Sequence, residues 1–334
     1  MAAISTGLVA AGTRAALGLH RLAGGARLPI LIFHRVLPKP DPLFPEEMHA
    51  ARFDALLAML ARSYEVISVG AAAERLADGR PGRALAISFD DGYADNAEVA
   101  LPLLQKHGLP ASFFIASGFL NGGCMWNDAV IAAVRHSPLE QADLRDIEGL
   151  ADIRTGPADL RTTAARRALI DQLLPKVKYA ALERRQVLIS ALRRRLQAPD
   201  APHDLMMSTA QLRALRAAGM EIGGHTIHHP ILQVLPEAEA RQEIIGGKQA
   251  LEALLNEPVE VFAYPNGKPG QDYDAVHAAM AAEAGFKSAV STSVGIASPG
   301  DDRYQLPRFT PWREGGAPWM LQLLAQYRQP YRFA

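Results

Sequence analysis

The chain alternates short apolar runs with stretches in which apolar residues recur every three or four positions. Runs rich in β-branched, aromatic and other apolar residues occur at 30–33, 64–68, 84–89, 112–116, 220–223, 259–263 and 286–291, with a last short one at 306–309. Between them, Phe53, Leu56, Leu57 and Leu60, and later Ile244, Leu251, Leu254 and Leu255, repeat with the period of a helix face. This β–α alternation predicts an α/β fold: a mainly parallel sheet covered by helices on both faces. Seven or so strands predict a barrel or a doubly wound sheet. The alternation breaks between 121 and 204, which holds no strand-like run. That segment carries helical patterns at Leu169, Ile170, Leu173 and Leu174, then at Val187, Leu188 and Leu192. Pro175 between them is expected to mark a helix boundary. The expected organisation is therefore a helical segment at 1–27, a barrel formed by 28–120 and 205–315, a helical insertion at 121–204, and a C-terminal helix or tail at 316–334.

Composition narrows the class without changing this outline. At 334 residues there is length for about two domains, or for one α/β barrel with an insertion. Hydrophobic residues make up 49% and charged residues 21%, enough for a large core and against long disorder. Cys124 is the single cysteine, so a disulfide scaffold is excluded. Lys+Arg and Asp+Glu both number 35, which leaves no global polyanion-binding signature and no expectation of a nucleic-acid partner. The balance is uneven along the chain: from Arg154 to Arg195 there are 11 basic residues against 3 acidic. That excess reads as a solvated Arg-rich face, or as a patch facing an anionic substrate or membrane surface. No run reaches the ~18 apolar residues of a membrane span, and the first basic residue, Arg14, follows the weakly apolar start rather than preceding it as in a secretory signal. The expected location is cytoplasmic or peripheral to the membrane, with a helix from Ile4 to Leu22 as the candidate peripheral contact.

In parallel α/β folds, chemistry gathers at the carboxyl ends of the strands. Here the predicted first strand runs into His34-Arg35, the third into Asp90-Asp91-Gly92, the fifth into His225-Thr226-Ile227-His228-His229-Pro230, and the sixth into Tyr264-Pro265-Asn266-Gly267. An Asp-Asp-Gly after a strand often serves only as a turn. Two adjacent carboxylates can also divide their duties, one on a metal and one free to take a proton. His225 and His229 are spaced i, i+4, which on a helical turn puts both imidazoles on one side. One Asp and two His make a three-ligand site with room for water, the arrangement of a catalytic zinc. A water bound there has its pKa lowered toward ~7 and becomes a usable nucleophile, with the spare Asp as base. The residues converge on metal-assisted hydrolysis.

These motifs, in this order, resemble the polysaccharide deacetylase (NodB-homology) family, carbohydrate esterase family four. The resemblance rests on Phe89-Asp90-Asp91-Gly92, on His225 to Pro230, and on Phe262 to Gly267, and leaves the helical insertion outside. It implies a distorted (β/α)7-type barrel that uses a divalent metal, Zn2+ first among them, to remove N-acetyl groups from an N-acetylated sugar. Asp90 corresponds to the catalytic base, Asp91, His225 and His229 to the metal ligands, and the peptide N–H of Asn266, in the turn after Tyr264 and Pro265, to an oxyanion donor. Leu306-Pro307-Arg308 resembles a late segment bordering the pocket.

Three departures change the expected site. Many members have an arginine at the place of Ala263 that orients the base; here His34 is the candidate for that task, with Arg308 as the alternative. Asn266 stands where an aromatic residue is usual. The late histidine that supplies the general acid is absent, which leaves His34, His228 or Asp90 itself to protonate the leaving amine, since arginine cannot. Trp126 and Trp312 are candidates for stacking on a sugar ring. Three functions fit: an N-deacetylase acting on a surface polysaccharide or its precursor, a deformylase or amidase acting on a lipid- or nucleotide-linked sugar, and a catalytically silent carbohydrate-binding protein.

Overall fold

The computed structural model describes residues 27–153, 155–178, 180, 182–310 and 316–327. The helix expected at 4–22, the side chain of Trp312 and the tail beyond 327 lie outside these residues.

Eight strands form one sheet in which every pairing is parallel. They are β1 (Ile30–Phe33), β2 (Glu65–Ile67), β3 (Ala84–Phe89) and β4 (Ser112–Ile115), then, after the short antiparallel pair β5 (Gln141–Ala142) and β6 (Ala158–Asp159), β7 (Glu221–Gly224), β8 (Val261–Ala263), β9 (Ser288–Val294) and β10 (Leu306–Arg308). The order is β1-β3-β4-β7-β8-β9-β10, with β2 sharing one edge of β3 with β4. The ring closes at Phe309, whose N–H donates to Ile30 O (2.8 Å) and whose carbonyl accepts from Ile32 N (3.1 Å). This is the expected distorted (β/α)7-type barrel, wound by helices that include Ala50–Ser63, Val69–Ala77, Thr209–Ala217 and Glu237–Leu255.

Alternate strand residues divide the core in two. Ile30, Ala84, Ala86, Phe114, Val261, Ala263, Val290 and Leu306 cluster inside the ring. Leu31, Phe33, Leu85, Ile87, Phe89, Phe113 and Phe262 pack outward against the helices. The strands read as continuous apolar runs because both faces are covered: all six residues of β3 are buried. The interior is tight, and a Cβ on Gly223 would come within 2.4 Å of the Phe114 ring. At the amino end of the ring, Glu221 accepts from Ser112 Oγ (2.6 Å) and from the N–H of Gly70 in the first turn of helix Val69–Ala77 (3.1 Å). A carboxylate at a helix N-terminus is favoured by the orphan N–H groups and the dipole. The carboxyl end is left for the site.

The chain divides into two compact units, one built from residues up to Lys39, Met48–Leu120 and the chain from Met207 on, the other from Pro40–Glu47 and Asn121–Met206. The second unit has its own core, drawn from Val130 and Val134 of helix Trp126–Arg135, Leu169, Ile170, Leu173 and Val177 of helix Thr163–Lys178, and Leu188 and Leu192 of helix Leu182–Arg195. It departs from expectation in three ways. It takes in residues 40–47, whose Leu43 is buried in that core and whose Asp41 pairs with Arg135. It contains β5 and β6, too short to leave a sequence period. And Pro175 lies inside helix Thr163–Lys178, which continues one turn further because Val177 extends the buried stripe past it.

The basic excess of this unit is also neutralised locally. Counting 40–47 with 121–206 gives 13 basic against 14 acidic residues, a net of −1. Arg145 pairs with Asp143, Arg161 with Asp159, Arg167 with Glu46 and Asp171, Lys176 with Asp152, Arg184 with Glu148, Arg193 with Asp200, and Arg195 with Asp146. This is the solvated, paired face rather than a bare cationic patch. Among the described residues, no helix is long and apolar enough to cross a membrane.

Candidate metal centre and active site

Asp90 and Asp91 follow directly on β3 and are held in different ways. Asp90 N donates to Phe33 O (2.9 Å), which continues the β1 ladder, and the Asp90 side chain extends the inward row of Ala84, Ala86 and Ser88. Asp91 adopts φ 77°, unusual for a residue with a side chain, and its carbonyl accepts from Ala116 N (3.3 Å). The turn sends its carboxylate toward the loop after β7. That loop is not the helical turn its i, i+4 spacing suggests. Thr226 (φ 65°) and His229 (φ 53°) are both left-handed, and they fold the segment so that the two imidazole centroids lie 4.8 Å apart.

Asp91 Oδ1 lies 3.4 Å from His225 Nε2 and 3.4 Å from His229 Nε2. Two ligands of a tetrahedral ion on bonds of ~2.1 Å sit roughly 3.4 Å apart, so the donor atoms are spaced as such an ion requires. Two more observations support the fit. Asp91 Oδ1, the oxygen facing both imidazoles, is buried without a hydrogen-bond partner. His225 Nδ1 lies 2.7 Å from the Ala263 carbonyl, which assigns the ring proton to Nδ1 and leaves Nε2 its lone pair. Among the described residues this is the one group of three such side chains close enough to hold a metal ion. The electrostatics favour an ion at Asp91 and His229, and set a proton in competition with it at His225. Burial opposes the charge on Asp91, but the His229 and His225 imidazoles hold its carboxyl well below the usual range. Burial pushes His229 down to about 4, so it is neutral and able to donate its lone pair. Burial also opposes charge on His225, but Asp91 and Asp90 raise it above its ordinary value.

Asp90 is held by Arg308, not by His34. The guanidinium, itself fully buried, donates from Nη1 to Asp90 Oδ1 (2.7 Å) and from Nη2 to Oδ2 (2.6 Å). Its Nε donates to Ser291 O (2.8 Å), and Nη1 also reaches Ser88 Oγ (3.2 Å). The strand register explains how. Leu306 faces Val290 while Arg308 faces Val294, so β9 spends four residues where β10 spends two, and the bulge gives Arg308 the Ser291 carbonyl. Pro307 sits at this irregularity, where a missing N–H is tolerated. Burial would push the Asp90 carboxyl up; the Arg308 and His225 charges hold it below the usual carboxylate range.

The remaining sequence candidates separate. His34 is exposed, yet near enough to add to the field at Asp90, Asp91 and His229. Its main chain is fixed: Asn96 Nδ2 donates to His34 O (2.9 Å), and Asp95 takes Arg35 Nε (2.7 Å) and Val36 N (3.1 Å). Asn96 opens a single turn of π-helix, Asn96–Ala100, a feature common at functional sites. His228 is turned away to Glu243 (2.7 Å). Tyr264 is not a pocket residue. It is fully buried, stacked on Tyr273 at 3.7 Å, and donates to Tyr304 O (2.8 Å). Pro265 is buried behind it, and Asn266 (φ 60°) is the half-buried residue of that turn, with its carbonyl accepting from Thr292 Oγ1 (2.6 Å). Trp126 belongs to the second unit, where the Arg185 guanidinium lies 5.0 Å from its ring. Sequence reasoning missed Ser88, Ser291 and Glu243. The inward period of β3 points to the first, while the other two depend on a bulge and a helix approach that leave no local signal.

Fold and site together define a closed parallel α/β barrel carrying a two-histidine, one-aspartate centre with a second aspartate beside it. The sequence profile described as polysaccharide deacetylase matches residues 77–140 and 193–289. Over these residues, just under half of the chain, the protein is similar to the polysaccharide deacetylase family. YxkH of Bacillus subtilis (strain 168), classed among polysaccharide deacetylases, is 32% identical over 93 residues, or 27% of this chain; the match spans about a third (32%) of that relative's length. Two solved structures share the fold. The deacetylase PplD of Streptococcus pyogenes, solved in complex with acetate, superposes with a TM-score of 0.58 at 18% identity, covering 89% of this chain and 98% of the other. IcaB from Ammonifex degensii gives 0.56 at 19% identity, covering 91% and 98%.

Proposed function

We propose that the protein is a metal-dependent N-deacetylase acting on an N-acetylated sugar of a surface polysaccharide or its precursor. The observation that carries this reading is the Asp91–His225–His229 cluster at tetrahedral ligand spacing with a separate, ionised Asp90 beside it. A pure carbohydrate binder has no use for that second carboxylate. The ligand chemistry, one carboxylate and two imidazoles, suits Zn2+. When bound, such an ion supplies Lewis-acid polarisation of an acyl carbonyl and acidifies water.

The chain's own residues do the rest. Arg308 keeps Asp90 charged and oriented, so its carboxylate can accept the proton of the attacking water. The Asn266 peptide N–H is the donor for the oxyanion that develops on the acyl carbonyl. His34, held at the mouth of the site by Asn96 and Asp95, is the proton donor to the leaving amine nitrogen. Water and the amide become acetate and a free amine. The insertion lends little support to a phosphate-bearing carrier, because most of its described arginines are paired with carboxylates and its unit carries no net positive charge. That PplD was solved with acetate accords with an acetyl-releasing site.

The test is acetate release from N-acetylated oligosaccharides, with metal content measured before and after chelation. Asp90→Asn is expected to lower turnover by at least ~10²-fold while metal content stays at one equivalent. Near wild-type rates in Asp90→Asn would remove the assigned base. His34→Ala is expected to lose rate chiefly on substrates with poor leaving amines, read as the ratio of rates on amide and activated ester.

A further inference from the structure

Helix Glu237–Leu255 brings a single carboxylate against the loop that carries both histidines. Glu243 Oε2 accepts the peptide N–H groups of Ile227 (2.9 Å) and His228 (2.8 Å), and Oε1 meets His228 Nδ1 (2.7 Å). The carbonyls of the same stretch are held from the opposite side, Thr226 O by Ser117 N (3.2 Å) and Ile227 O by Gly118 N (2.9 Å). His229 N donates to Thr226 Oγ1 (3.1 Å). All these bonds fall on the few residues that separate the two ligands. The segment also holds two left-handed residues with side chains, and one of them, Thr226, is β-branched. That conformation persists only where the surroundings over-determine it.

The helix reaches the loop because it is bare at the contact: a Cβ on Gly247 would lie 2.7 Å from the carbonyl carbon and oxygen of Thr226. Glu243 itself is largely sheltered, with 15% of its side chain exposed. A carboxylate capturing two successive peptide N–H groups in that setting forms charge-assisted bonds, roughly twice as strong as neutral ones.

We propose that Glu243 is a positioning residue for the metal centre. It locks the peptides between the ligands so that His225 and His229 keep the separation an ion needs, and it touches neither ion nor substrate. The proposal rests on the metal-site reading given above. His228, by the same geometry, is a third anchor of the clamp rather than an acid or a ligand.

The experiment uses the full chain as wild type, Glu243→Gln and Glu243→Ala. Each is stripped of metal and titrated with Zn2+ against a chromophoric chelator, then with Co2+ followed by its visible absorption. Loss of an outer-shell partner typically weakens metal binding ~10–100-fold. Glu243→Ala is expected in that range with an altered Co2+ spectrum. Glu243→Gln, which keeps an acceptor oxygen but not the charge, is expected to fall between it and wild type, with the metal-free protein melting as wild type does. Wild-type Zn2+ affinity and an unchanged Co2+ spectrum in Glu243→Gln and, where it folds, Glu243→Ala would overturn the role of Glu243. A wild type that binds neither ion would overturn the metal centre itself, and the clamp with it.

Discussion

Arg308 has no exposed surface, so its charge is stable only because each donor group is used: both Asp90 oxygens, the Ser291 carbonyl and the Ser88 hydroxyl. Removing one partner of such a buried pair strands the other. Arg308→Met is expected to lower the unfolding free energy by about 3–5 kcal/mol, measured by denaturant titration, and the double variant with Asp90→Asn should recover part of that loss. A cost near that of an exposed pair, under ~1 kcal/mol, would mean the guanidinium does not hold the base. Lysine would not substitute, since a point charge cannot make the paired bonds of the guanidinium fork. At this scale the sequence was informative where chemistry is local. Asp90, Asp91, His225 and His229 stood out as residue types at strand ends. The partner of Asp90 did not, because choosing between His34 and Arg308 requires knowing that β10 closes the ring with Arg308 turned inward.

Among the elements, the helix Glu237–Leu255 offers a sharp comparison. Gly246 and Gly247 are adjacent, but an added Cβ meets different neighbours. At Gly247 it would strike the Thr226 backbone at 2.7 Å; at Gly246 it meets the end of the Ile227 side chain at 2.7 Å and the Gln242 amide at 3.1 Å. Gly247→Ala is therefore expected to cost about 1–3 kcal/mol by overpacking. Gly246→Ala should be near neutral, since side chains yield and alanine gains up to ~1 kcal/mol in helix propensity. Thermal melts of the two variants distinguish these outcomes. The helix Thr209–Ala217 opens with a capping box between Ser208 and Gln211, and Ser208→Ala should cost ~1 kcal/mol. Strand positions were legible because burial on both faces leaves unbroken apolar runs, as in β1 and β3. β5 and β6, two residues each, are below any period. Pro175 misled because a proline near a helix end can be outweighed by burial of Val177 one half-turn on. The His225–His229 spacing misled in form, since two left-handed residues achieve what a helical turn was expected to do.

At the scale of the whole molecule, the division into a barrel unit and an inserted unit was visible as a break in β–α alternation. The capture of residues 40–47 by the second unit was not, because Leu43 contacts a core made of residues far along the chain. Local ion pairs also changed the meaning of the Arg-rich stretch, since most of the acidic partners (Glu46, Asp146, Glu148, Asp152 and Asp200) lie outside it in sequence. If a metal binds the folded barrel and not the unfolded chain, it adds stability by mass action, about 2.7 kcal/mol at a free concentration 100-fold above Kd. Chelation should therefore lower the melting temperature of wild type, while a variant lacking His225 and His229 should show no chelator response. The closure of the ring on Phe309 has a further consequence during synthesis. Asp90 and Arg308 are 218 residues apart, and at ~5–20 residues per second the ribosome needs ~10–40 s to bridge that interval. Throughout it Asp90 has no guanidinium, and a carboxyl without that partner stays wet or takes up a proton, which disfavours a dry, charged centre in the nascent barrel. The final strand acts as a lock, admitting the folded state only once nearly all of the barrel has been made.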